Sequence, residues 1–191
     1  MPVTAAHRAL RDGTRTAHER LDGLFAGFDL ADRRSYAAFL AAHAAALMPV
    51  EAWLDAHGAG DVTADWPARR RGAALAADLA ALGEPVPAGD GFAAATDPAS
   101  LAGVLYVIEG SRLGGRMLVR GVAAGLPTSY LAPVAIPGRS QPSWPALLAT
   151  FDRVIGDRAI GGQVETAVTS AIAVFARFER AGRERLERVG V

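Results

Sequence analysis

Four histidines, His7, His18, His43 and His57, are the nitrogen ligands this chain could offer a transition metal, and there is no cysteine to add a thiolate. His18 stands apart because Arg11 lies two helical turns earlier on nearly the same face, about 10 Å along the axis. An imidazole and a guanidinium at that spacing suit a planar iron macrocycle with anionic arms at one edge. His43 follows Tyr36 and Phe39 at helical spacing and reads as a packing residue. His7 and His57 read as surface residues.

A second pattern is a file of glycines, Gly103, Gly110, Gly114, Gly121 and Gly125, inside a segment that otherwise reads as one long apolar helix. At about 100° per residue they fall within a sector about 60° wide. Each glycine inside a helix costs about 1 kcal/mol relative to alanine, so the bare stripe needs compensation from whatever touches it. Two readings stay open at this point: close packing of another helix, or close approach of a flat ligand.

Several other chemistries are excluded. The run Gly103-Val104-Leu105-Tyr106-Val107-Ile108 followed by Glu109-Gly110-Ser111-Arg112-Leu113-Gly114-Gly115 lacks the G-x-G-x-x-G spacing of a dinucleotide loop, and no second strand follows it. The absence of lysine removes a P-loop, and Ser111 has no G-x-S-x-G around it. His18-Glu19 has no second histidine one turn on, and no Glu-x-x-His pair exists for a carboxylate di-iron site.

The elements that must carry these residues are helical. Apolar positions Leu10, Ala17, Leu21, Leu24 and Phe25 predict a first helix from Thr4, its N-cap, to about Phe28. A second is predicted from Asp32, with Pro49 expected to kink or break it. A third runs from about Pro67 through Leu75, Leu79 and Leu82 and stops at Gly83. Asp97-Pro98 opens the glycine-striped helix as N-cap and first helical residue, and Leu126-Pro127 closes it. Prolines at 133, 137 and 142 mark a surface loop. Ser143-Trp144-Pro145 restarts helix, broken around Gly161-Gly162, and a last helix runs from about Gln163 to Arg188. Its arginines and glutamates, Arg177 among them, predict a salt-bridged solvent face. Strand signals are nearly absent, so the reading is one all-α domain over residues 1–191.

Composition narrows the partners. The chain has 191 residues, 51% of them hydrophobic, and 20 basic residues, all arginine, against 20 acidic ones. That balance provides no basic field for nucleic acid or an acidic membrane. Without cysteine there is no iron–sulfur cluster or disulfide. No signal-peptide pattern or convincing membrane span is read, which gives a cytoplasmic location as the expectation.

Two stretches, in this order along the chain, carry a family resemblance. Leu10-Arg11-Asp12-Gly13-Thr14-Arg15-Thr16-Ala17-His18-Glu19-Arg20-Leu21-Asp22 resembles the first helix of haem oxygenases, and Leu105 to Arg116 resembles their glycine-rich distal helix in the form typical of bacterial enzymes associated with bacteriophytochromes. The resemblance implies an all-α fold with haem clamped between these helices. It implies His18 as the iron ligand, Arg11 near a haem propionate, and Gly110, Gly114 and Gly115 as the close distal wall. Ser111 stands where many members carry an aspartate that organises water. Tyr106, Arg112, Phe175 and Arg177 are further pocket candidates. The implied reaction converts haem, with O2 and external electrons, to biliverdin (the IXα isomer), carbon monoxide and ferrous iron. Electrons would come from a ferredoxin or flavoprotein reductase, and the product would serve a bacteriophytochrome. Two alternatives stand beside it: a non-catalytic haem-binding or haem-delivery protein on the same fold, and a bundle whose glycines serve packing alone.

Overall fold

Residues 5–132, 144–156 and 162–190 are described by the structure, a computed structural model. The helices are α1 (Ala5–Phe25), α2 (Arg33–Ala56), two short ones, α3 (Ala59–Val62) and α4 (Trp66–Arg69), then α5 (Gly72–Ala81), α6 (Pro98–Leu118), α7 (Trp144–Ile155) and α8 (Gln163–Val189). No strand occurs among the described residues. Thr4, the prolines at 133, 137 and 142, Ser143 and Gly161 lie outside them.

Local chemistry explains most boundaries. Asp32 caps α2 by accepting from Ser35 N at 2.8 Å. Asp97 caps α6 by accepting from Ala99 N and Ser100 N at 3.0 and 3.1 Å, ahead of Pro98 at the first helical position. α5 ends in a Schellman motif: Gly83, at φ +73°, donates to Ala80 O while Glu84 N donates to Leu79 O.

Three expectations are corrected. Pro49 does not break α2, which runs on to Ala56. The proline has no N–H for the Ala45 carbonyl, but Arg177 Nη2 donates to that oxygen at 2.9 Å, and Arg177 Nε donates to Ala46 O at 3.0 Å. The third predicted helix divides at Arg70 and Arg71, because the buried Glu51 carboxylate accepts from Arg71 N at 2.7 Å and Gly72 N at 3.0 Å and so caps a new helix start. The glycine helix ends at Leu118, followed by one 3-10 turn over Val119–Gly121. Gly121 therefore sits in that turn, and Gly125, at φ +88°, lies beyond it.

Helix α8 is the axis of the bundle, packed against α1, α2 and α6. Two glycines let α1 lie close on it. A Cβ on Gly13 would stand 2.8 Å from a Val168 methyl, and one on Gly182 would stand 2.8 Å from the Phe25 ring. Gly103 brings α6 to the same level, where a side chain would run into the Ala167 carbonyl. Ala167 and Val168 are consecutive, so α1 and α6 are seated on one turn of α8. Helix α2 is long and apolar enough to cross a membrane by composition, and most of it is buried within the bundle.

Candidate functional site

Helix α1 buries Ala6, Leu10, Thr14 and Ala17. His7, Arg11 and His18 fall within about 40° of one another around its axis, beside that buried seam. His18 is exposed, with Nδ1 2.9 Å from Asp22 Oδ2 one turn along and its ring edge-on to Phe175 of α8, centroids 5.7 Å apart. A neutral imidazole donating Nδ1–H to that carboxylate has its tautomer fixed, and Nε2 keeps the lone pair. A histidine oriented in this way is able to offer Nε2 to a metal. Arg11 is exposed and pairs with Asp12 at 3.2 Å.

His7 is not a free surface residue as the sequence reading expects. Its ring lies 6.2 Å from Tyr106 and 6.4 Å from Trp144, whose own rings are 5.6 Å apart, so α1, α6 and α7 meet there. Burial pushes its pKa down, Arg11 adding to the effect. Tyr106 thus stands at the α1–α6 junction, and its pKa is raised by burial. His57 is exposed and stacks on Trp53. His43 packs as expected, among Phe25, Phe39, Tyr130 and Phe178.

The glycine stripe of α6 changes character along its length. Gly103 packs on α8, Gly110 faces the Trp144 ring, with 3.5 Å from a Cβ position to Cη2, and at Gly114 no described residue stands within 4 Å of a Cβ position. Gly115 is buried against Leu131. Around Gly114, Leu113, Met117 and Leu118 are 45%, 63% and 40% exposed. Gly110, Leu113, Gly114, Met117 and Leu118 follow the i, i+3, i+4, i+7, i+8 pattern of one helix face. Beyond Gly110, which the Trp144 ring covers, the end of α6 therefore exposes bare backbone at Gly114 and apolar side chains among the described residues, a surface of the kind that can receive a ligand.

Around the rest of its circumference α6 is tied down by charge. Glu109, 3% exposed, accepts from Arg69 Nη1 at 2.5 Å and Arg112 Nε at 3.0 Å. Arg69 also donates to Asp65 at 2.8 Å, and Arg112 Nη2 donates to the Arg69 carbonyl. Ser111 Oγ donates to Ile108 O at 2.8 Å and accepts from Arg71 Nη2 at 2.6 Å. These partners from the α4–α5 region were missed by the sequence reading, because single arginines in a short polar stretch carry no periodic signal.

Two pocket candidates are corrected by these contacts. Arg112 turns Nε to Glu109 and Nη2 to the Arg69 carbonyl. Arg177, expected on a solvent face or in a cofactor pocket, is 6% exposed and donates to the carbonyls of Ala45, Ala46, Asp90 and Gly91. It leaves α8 about 200° from Phe175, which faces His18. Both guanidiniums hold the scaffold.

No protein-family model matches the chain. Over 89 residues, 47% of this chain and 53% of the relative, it is 42% identical to the heme oxygenase of Xanthomonas campestris pv. campestris (strain 8004), a match spanning about half of that protein's length. The NO- and CO-bound heme oxygenase from Neisseria meningitidis superposes with a TM-score of 0.79 over 97% of this chain and 94% of that one, at 21% identity. The chain has the haem oxygenase fold. Both findings agree with the family that the two sequence motifs resemble, and with the expected all-α class.

The residues of this haem oxygenase fold suit the macrocycle. His18 has its Nδ1 engaged and Nε2 available, Arg11 provides an exposed cation two turns away, and α6 supplies an apolar face without a side chain at Gly114. Three of the five exposed large hydrophobic residues in the described chain lie on that end of α6.

Proposed function

We propose that this protein binds haem as its substrate and, with O2 and external electrons, opens the ring oxidatively to biliverdin, carbon monoxide and ferrous iron. The observation that carries the reading is His18: an exposed imidazole beside Asp22, on a helix that is seated with α6 on the same turn of α8. The heme oxygenase relatives support it over half the length of one and at the level of fold for the other.

In this reading His18 Nε2 holds the iron, and Asp22 raises its basicity and fixes its ring. Arg11 engages a propionate and so selects the rotation of the macrocycle in its plane. Haem, when bound, supplies the redox-active iron and the carbon that is oxidised. Gly110 and Gly114 let the α6 backbone close over the opposite face, and Leu113, Met117 and Leu118 exclude water from it. Ser111, with its hydroxyl anchored, holds water at the edge of that face.

The electrons come from an external ferredoxin or flavoprotein reductase, since the chain has no cysteine for a cluster and no nucleotide-binding motif. The IXα isomer, service to a bacteriophytochrome and a cytoplasmic setting extend the reading on the motif resemblance. The deciding experiment adds haem to the purified protein, then reductant and oxygen, and follows the Soret band and the red absorption of biliverdin. Soret loss with biliverdin and carbon monoxide, abolished in His18→Ala, is the expected result. A persistent haem spectrum under several competent reductants makes the protein a carrier, and failure to bind haem overturns the reading.

A further inference from the structure

Arg71 lies between α4 and α5, is 3% exposed, and plays no part in the reading above. Its main chain is anchored by Glu51, which accepts from Arg71 N, and its guanidinium carbon stands 5.0 Å over the Tyr130 ring. From that fixed seat Nη2 donates both to Ile108 O at 2.9 Å and to Ser111 Oγ at 2.6 Å. Ser111 Oγ in turn donates to Ile108 O.

A serine hydroxyl has one hydrogen and two lone pairs, and normally rotates to suit its surroundings. Here the hydrogen is committed to Ile108 and one lone pair to Arg71. What remains is a single lone pair, on a residue that is itself exposed and follows Gly110 in the helix. Among the described residues Arg71 Nε and Arg69 Nη2 are buried without a protein acceptor, and buried N–H groups of that kind are ordinarily met by ordered water.

We propose that Arg71 is the positioning residue of the distal face: it locks the Ser111 hydroxyl so that the serine meets solvent purely as a hydrogen-bond acceptor, as a carboxylate would. A water held there can only donate to Ser111, which fixes its orientation beside the α6 backbone. The inference rests on the haem reading and assigns Arg71 an effect that passes through Ser111.

The test uses the C–O stretching band of the ferrous haem–CO complex, measured by infrared spectroscopy in the parent, Arg71→Met, Ser111→Ala and the double variant. Polarisation by an oriented water lowers that frequency, so each single variant shifts the band upward and the double variant matches Ser111→Ala. Arg71→Lys, which keeps the charge without the planar fork, lies between parent and Arg71→Met. An Arg71→Met shift of equal size with and without Ser111→Ala, or no shift, overturns the proposal. Should Arg71→Met fail to fold, the smaller Arg71→Lys shift must vanish in the Ser111→Ala background, and its persistence is the overturning result. Haem binding with a background-independent shift sinks this inference alone, whereas no haem binding by the parent sinks the functional reading with it.

Discussion

Arg177 of α8 occupies the carbonyl that Pro49 strands in α2. Its Nη2 donates to Ala45 O at 2.9 Å, and Gly89 packs so closely there that a Cβ would lie 2.7 Å from the same oxygen and 2.8 Å from the proline ring. Arg177→Met should cost about 3 kcal/mol, since charged hydrogen bonds and buried acceptors are lost together. With Pro49→Ala in place, residue 49 regains an N–H for Ala45, and the same change should cost about 1 kcal/mol less. Urea unfolding of the four proteins measures the coupling, and an unchanged cost of Arg177→Met would count against it.

The glycine stripe should divide into a structural and a functional half. Gly103→Ala pushes a methyl into the Ala167 peptide and should destabilise the fold by about 3 kcal/mol. At Gly114 an added Cβ meets nothing within 4 Å among the described residues, and trading glycine for leucine in a helix should gain about 1 kcal/mol. Its melting temperature should not fall, while ring opening is disturbed more than haem affinity. Equal turnover by Gly114→Leu and the parent would remove the steric role of this face.

This division also explains how far the sequence could be read. Caps at Asp32 and Asp97, the stop at Gly83 and the α8 span followed from residue types whose preference is local. His18 with Asp22 was within one helical turn and accessible to the same reasoning. Pro49, Arg112 and Arg177 were misread because a deciding partner of each lies far off in the chain: Arg177 for the Ala45 carbonyl that Pro49 strands, the Arg69 carbonyl for Arg112, and Asp90 and Gly91 for Arg177. The early end of α6 was missed because Gly121 and Gly125 continue the angular pattern beyond the point where the helix stops.

Glu51 and Gly72 form a similar long-range cap. A Cβ on Gly72 would stand 2.8 Å from Glu51 Oε2, so Gly72→Ala should cost about 1–3 kcal/mol by displacing the carboxylate from the start of α5. Burial pushes the Glu51 carboxyl up, against the pull of its two N–H donors and nearby arginines. Thermal unfolding of Gly72→Ala beside Gly60→Ala, where the added methyl meets nothing, isolates the effect.

Burial among aromatic rings pushes the His43 imidazole down to about 4. Below its unfolded value near 6.5 the unfolded chain binds a proton that the folded chain refuses. Stability from this residue is therefore complete above about pH 6.5 and falls by about 3 kcal/mol as the pH drops to 4. Denaturant midpoints across that range should show a slope that flattens in His43→Phe.

Asp22→Asn should leave the fold intact, since both partners are exposed, and lower haem affinity by about 10–100-fold, the usual effect of removing a metal ligand's orienting partner. Soret titration reads it directly. Unchanged affinity would deny Asp22 its part in holding His18.

Because α1 and α6 are each registered on adjacent residues of α8, Val168 and Ala167, the gap between them is templated by a third element. Nothing bound between the two helices is needed as cement. Under the proposed reaction the occupant is destroyed at every turnover, so a frame that depended on it would come apart with each product released. A central mandrel lets the jaws keep their separation through the empty part of the cycle.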